Sequence, residues 1–336
     1  MIVWGTFSRS LHRRRPFYLG RPRDLTIDLV TRLSQMSLVE YARRVLGAPQ
    51  PDPAFHPAVR HLLDHRHVTA PMDDFLRTAH RRMPEDPAWR MLYIDAAVLK
   101  VLARASLPGL DEHVARECIA TLDHAIVIAG AAADDARRDY VVHDVIKQLQ
   151  CAIPWHAPSS AVLVADSTPV TPSASRNSIP ALAALPSLFA AQKHWSRAPF
   201  VIPGYAHLWP AIHQWPSLSY LFSVAGPGRV VPVEIGDDYR SDDWSQKLIS
   251  WEEFLSSLDP SSAHRQHHTL YLAQHSLLSQ FPQLRDDIIL PDIVYASLDA
   301  PDFPAYKPPF DVILNAWLGP KGTISPAHTA SLIQSK

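Results

Sequence analysis

Cysteine is nearly missing: Cys118 and Cys151 are the only two in 336 residues. No disulfide framework can form, and a reducing compartment is expected. Glycine is also sparse, with 11 residues, and it forms neither a phosphate-cradling loop nor a nucleophile elbow around a serine. No apolar run nears the roughly 20 residues that a bilayer helix needs, and no secretory h-region is visible. Charge of one sign is lacking too: 32 Lys and Arg against 33 Asp and Glu give a net charge of −1. Basic and aromatic residues are not interleaved into a nucleic-acid platform. Neither a nucleic acid nor a membrane is therefore expected as a partner. Acidic residues are missing up to Arg23, while Arg9, Arg13, Arg14, Arg15, Arg21 and Arg23 are basic. That composition suits a disordered basic arm over residues 1–23 and also a mitochondrial transit peptide. The expected location is nuclear or cytoplasmic, with the mitochondrion raised by the Arg-rich start.

What the chain does have is apolar residues, 47% of the total, and 31 prolines. Its length allows two domains with real cores. Residues 24–155 read as helical. Val141, Val142, Val145, Ile146 and Leu149 recur at helical spacing, as do Val114, Cys118, Leu122, Ala125 and Ala129. The stretch from Trp89 to Leu102 is apolar nearly all round and predicts a buried central helix. Prolines 49, 51, 53, 57, 71, 84, 87 and 108 punctuate these patterns, so a bundle of about five or six antiparallel helices is expected.

Residues 156–180 turn to Pro, Ser, Thr and Ala and read as a linker, with one apolar patch from Ala161 to Ala165 able to dock as a strand. Beyond it, residues 181–330 alternate strands with short helices. Strands are expected at Ala198 to Pro203, Arg229 to Ile235, Thr269 to His275 and Phe310 to Trp317. Helices are expected at Trp215 to Val224 and Trp251 to Leu258, the latter with Ser250 as N-cap and Glu253 at capping-box spacing. Strands and helices without regular βαβ alternation indicate a mixed, barrel-like α+β domain.

The loop from Gly319 to His328 follows a strand and carries a histidine among small polar residues, a place where rigid scaffolds hold functional groups. Two other histidine groups stand out. His56, His61, His65 and His67 include an i, i+4 pair, a spacing that can clamp a metal on one helix face; with no Cys or third ligand convincingly placed, they read as a solvated helix. His264, His267 and His268 read as a polar surface loop.

Several runs, in order, carry a resemblance. They are Arg197-Ala-Pro-Phe-Val-Ile-Pro-Gly204, Trp209-Pro-Ala-Ile212, Val231-Pro-Val-Glu-Ile-Gly236 and Trp244-Ser-Gln246. Tyr271-Leu-Ala-Gln-His275 and Pro282-Gln-Leu284 follow, then Asn315-Ala-Trp-Leu-Gly-Pro320 and Gly322-Thr-Ile-Ser-Pro-Ala-His328. Together they resemble the N-terminal half of JmjC-domain Fe(II)/2-oxoglutarate oxygenases, in the branch of lysine-specific demethylase 8 and arginyl hydroxylases. The resemblance implies a cupin double-stranded β-helix barrel after the helical bundle, and hydroxylation or demethylation of a protein side chain. It implies Fe(II) on a two-His-one-carboxylate triad with open positions for 2-oxoglutarate and O₂. His328 matches the first iron ligand. Tyr271 and Ser325 match positions that bind the 2-oxoglutarate carboxylate, and Gln274 and Trp317 match pocket-lining positions. Tyr271 and Trp317 would serve equally as strand core aromatics, and Ser325 as a turn residue.

The departures bear on the chemistry. Ala330 stands where the resemblance expects the Asp of the iron-binding pair, and eight residues follow His328. The resemblance then places the distal His outside this sequence, leaves the barrel incomplete, and makes residues 331–336 a tail unlike the family. On that reading the chain binds neither Fe(II) nor 2-oxoglutarate and does not catalyse. Unpaired strand edges would favour self-association. The alternative is a non-catalytic module whose helical domain binds a protein partner.

Overall fold

The computed structural model describes residues 38–130, 136–155, 179–190, 200–236, 244–259, 269–295, 314–320 and 323. The basic arm, the patch at 161–165, the histidines at 264–268 and the tail at 331–336 lie outside the described residues. Among the described residues six helices come first: α1 (Leu38–Leu46), α2 (Phe55–Asp64), α3 (Ala70–Arg82), α4 (Ala88–Ala105), α5 (Glu112–Ala129) and α6 (Ala136–Gln150). The prolines act as the sequence suggests. Pro71 sits in the first turn of α3, where a missing N–H is tolerated, and Pro84 and Pro87 fall between α3 and α4. Asp111 caps α5 by accepting from the Val114 N–H at 2.8 Å, and Gly130, at φ 76°, ends it.

The expected central helix is α4, whose face from Trp89 to Leu102 is almost wholly buried. One polar group shares that interior. Asp95, fully buried, accepts from the Tyr41 hydroxyl at 2.7 Å and so ties α4 to α1.

After the helices come α7 (Pro210–Gln214), α8 (Leu218–Ala225), β1 (Val230–Ile235), β2 (Ser245–Ser250), α9 (Trp251–Ser257), β3 (Leu270–His275), α10 (Leu277–Gln280) and β4 (Ala316–Leu318). Among the described residues the sheet has four strands in the order β2-β1-β3-β4. β1 pairs antiparallel with β2 along its whole length, Val230 opposite Ser250 and Ile235 opposite Ser245. It pairs antiparallel with β3 only at Glu234–Tyr271 and Ile235–Leu270. Pro232 has no N–H with which to extend that ladder toward Val230. Val231 and Val233 point one way and are fully buried. Ser250 caps α9, accepting from the Glu253 N–H at 3.0 Å as the capping-box spacing predicts.

Three elements differ from expectation. The stretch around Val201 forms a single parallel bridge to Ala181 instead of a strand. Prolines 199 and 203 flank it and remove donors on both sides. β2, with Gln246 and Lys247 outward, is an edge strand of weak alternation and gives no clear pattern in sequence. The strand expected from Phe310 is described only at its end, over Ala316–Leu318, and residues 310–313 lie outside the described set. Leu314 and Ala316 are buried on one side, as the alternation requires.

The described residues fall into two compact units. One holds the six helices, β1, β2, α9 and residues 270–273 of β3. The other holds residues 179–190, 200–224, 274–295 and 314–317. In the first unit the helices are fastened to the sheet. Asp123 of α5 accepts two bonds from the Arg229 Nε (3.1 and 3.0 Å), one from its Nη2 (2.7 Å) and one from the Val230 N–H (2.9 Å). Arg116 of α5 donates to Glu252 of α9 at 3.0 Å. Gln150 of α6 donates to the carbonyls of Ala225 and Pro227 at 2.9 and 3.0 Å. The turn between them needs glycine: a Cβ on Gly226 would lie 2.6 Å from Gln150 Nε2, and one on Gly228 2.7 Å from Ile153 Cδ1.

Candidate functional site

Tyr271 stands on β3 between Leu270 and Leu272, which are buried, so its ring projects to the other, half-buried face. The loop after β4 approaches it closely. A Cβ on Gly319 would lie 2.8 Å from Tyr271 Cδ2 and 2.7 Å from Thr323 Oγ1. Only a residue without a side chain lets the Leu-Gly-Pro segment pass over that ring. Thr323 in turn donates its hydroxyl to the Pro320 carbonyl at 2.7 Å, closing the turn. The glycine of the 315–320 motif therefore has a geometric reason that the sequence shows only as a match.

Alternation on β3 fails at Gln274. By parity it should lie with Leu270 and Leu272, yet it is exposed, and His275 is buried instead. The cause is its backbone, at φ 47°, a left-handed conformation that non-glycine residues rarely adopt. Pattern reading cannot find such a residue, because glutamine carries no signal for it. His275 Nε2 meets Gln280 Oε1 at 2.7 Å in the interior, a satisfied core histidine.

Trp317 is half-buried on β4, the strand next to β3 in the sheet. Ser325, His328 and Ala330 lie outside the described residues. Among the described residues no group of three or more His, Cys, Asp or Glu side chains is arranged to hold a metal ion. The donor set of the matched pair does not fit iron either. His328 offers an imidazole, but Ala330 offers only a methyl group where a carboxylate oxygen is required.

Residues 186–331 match the family model described as a cupin-like domain. Together this match and the relatives below support assigning residues 186–331 to the cupin-like JmjC domain family. It is similar to Jumonji C domain-containing protein 5 of Drosophila melanogaster, 46% identical over 123 residues, covering 36% of this chain and 28% of that protein. It is similar to lysine-specific demethylase 8 of Danio rerio, 31% identical over 258 residues, covering 72% of this chain and 58% of that one. That second match is longer than residues 186–336 can supply, so it reaches into the helical segment. JmjC domain-containing protein D of Dictyostelium discoideum is 38% identical over 135 residues, 39% of this chain and 30% of its own length. The chain spans from about a quarter to three-fifths of the length of these relatives. JmjC demethylases generally use Fe(II) and 2-oxoglutarate.

Proposed function

We propose that this chain is a JmjC domain of the protein-hydroxylase or histone lysine demethylase type that has no catalytic iron site of its own and acts by binding a protein partner through its helix-and-sheet unit. The single observation behind this reading is Ala330. A facial triad without its carboxylate loses an anionic oxygen ligand, and a methyl group cannot compensate. The rest of the reading is built from what the residues can still do. Tyr271, overlaid by Gly319, is the residue that the resemblance matches to a 2-oxoglutarate contact. The unit that carries it is fastened together by Asp123–Arg229, Arg116–Glu252 and the Gln150 bonds. A binding role in the nucleus or cytoplasm suits such a scaffold.

The test is anaerobic Fe(II) binding with 2-oxoglutarate, followed by succinate release in air, on this chain and on its His328→Ala variant. The expected result is background succinate from both, with no iron lost on replacing His328. Succinate formation that depends on His328 would overturn the proposal.

A further inference from the structure

The helical unit carries a histidine arrangement that the oxygenase resemblance does not use. His61 lies in the last turn of α2, and His65 is its C-cap, with the His65 N–H donating to the His61 carbonyl at 2.9 Å. That bond keeps the helical i, i+4 relation to the end. The two rings are stacked, centroids 4.5 Å apart and planes 18° from parallel. His67 follows, its ring 6.4 Å from that of His65. All three are exposed, and their flanking charges are Arg60, Asp64 and Arg66, exposed as well.

We propose that His61 and His65 form a two-imidazole site for a divalent transition-metal ion of the zinc class. Imidazole nitrogens bind such ions at about 2.0–2.1 Å, so two rings on successive turns can share one ion. In the stacked arrangement the ring planes lie nearly parallel, and the rings would turn to bring a nitrogen of each onto a common ion. Because the rings are exposed, that rotation costs little. The position favours a cation further. The last-turn carbonyls of α2 carry the negative end of the helix dipole, at the end of the helix where both histidines lie. Asp64 adds negative charge next to His65, against the positive charges of Arg60 and Arg66. Two imidazoles leave positions that water would fill. Binding would staple the final turn of α2, whose C-cap has left helical geometry at ψ 66°.

This site is independent of His328, so its test and that of the oxygenase reading separate cleanly. Zinc chloride is titrated calorimetrically into the full chain, into His61→Ala, into His65→Ala and into His113→Ala, a control at another exposed histidine. Thermal melts are run with and without zinc. Either α2 variant should weaken the tightest zinc event on the order of a hundred-fold, as expected when two linked contacts become one. Either should also abolish the zinc-induced rise in Tm. His113→Ala should leave both unchanged. Equal binding by all four proteins, or an equal loss in the His113 control, would overturn the proposal. The positions are exposed, so the variants keep the fold, and the zinc-free melts check that directly.

Discussion

Asp123 and Arg229 form a buried bidentate pair, the carboxylate fully buried and the guanidinium nearly so, with Nη2 to Oδ1 at 2.7 Å. The pair joins the middle of α5 to the residue just before β1. Breaking it from one side strands a charge in the interior. Asp123→Ala should lower unfolding stability by about 3–5 kcal/mol, read from urea midpoints. A double replacement, Asp123→Leu with Arg229→Met, should recover most of that loss. A single variant as stable as the parent would show that the pair does not fasten the unit.

Gly228 tests the same junction by shape. It combines φ 78° with a Cβ position 2.7 Å from Ile153 Cδ1. Gly228→Ala should cost about 1–3 kcal/mol, from backbone strain and overpacking together. In an Ile153→Val background the clash is relieved while the strain remains. The alanine should therefore cost less there, though not nothing, in chemical denaturation.

The two thiols should differ in reactivity. Cys118 is buried on α5, and burial pushes its thiol up to about 11, the nearby Arg104 opposing this only in part. Cys151 is exposed. A thiol reagent at mildly alkaline pH should modify Cys151 quickly and leave Cys118 until the chain is denatured. Cys151→Ser should abolish the fast phase.

Tyr220 makes an alkaline prediction. Its phenol is raised well above the usual value near 10, first by burial and then by donating to Asp287 Oδ2 at 2.6 Å. Above the unfolded pKa of about 10 the unfolded chain loses this proton while the folded one keeps it. The stabilisation is therefore complete below pH ~10 and is lost as pH rises toward the folded value. The stability gap between the parent and Tyr220→Phe should be constant in neutral solution and shrink above pH ~10, measured by denaturation at stepped pH.

The helices were legible because their signal is local. The run from Trp89 to Leu102 and the cap Ser250 each declare themselves within a few residues. The strands β1 and β3 were legible from β-branched and apolar residues between breakers. β2 was not, because an edge strand may be polar on both faces. Tyr271 could be singled out only by resemblance. Its close cover by Gly319 and the inverted conformation of Gln274 depend on contacts and dihedrals that residue types do not encode. The pairing of Asp123 with Arg229 was invisible for the same reason: each reads alone as an ordinary charge on a helix or before a strand.

The separation between those two residues, 106 positions, has a kinetic consequence. The pair closes a long loop, and that closure must be met before the contact can repay it. Synthesis proceeds from the N-terminus, so α5 emerges well before β1 and can already be packed against α4 when Arg229 appears. The helices then present a finished surface with a buried carboxylate awaiting its counter-ion, and the strand docks onto a template instead of searching for one. On this order of events, lesions in α4 or α5 should impair formation of the sheet during translation, whereas lesions in the sheet should leave a folded helical intermediate behind.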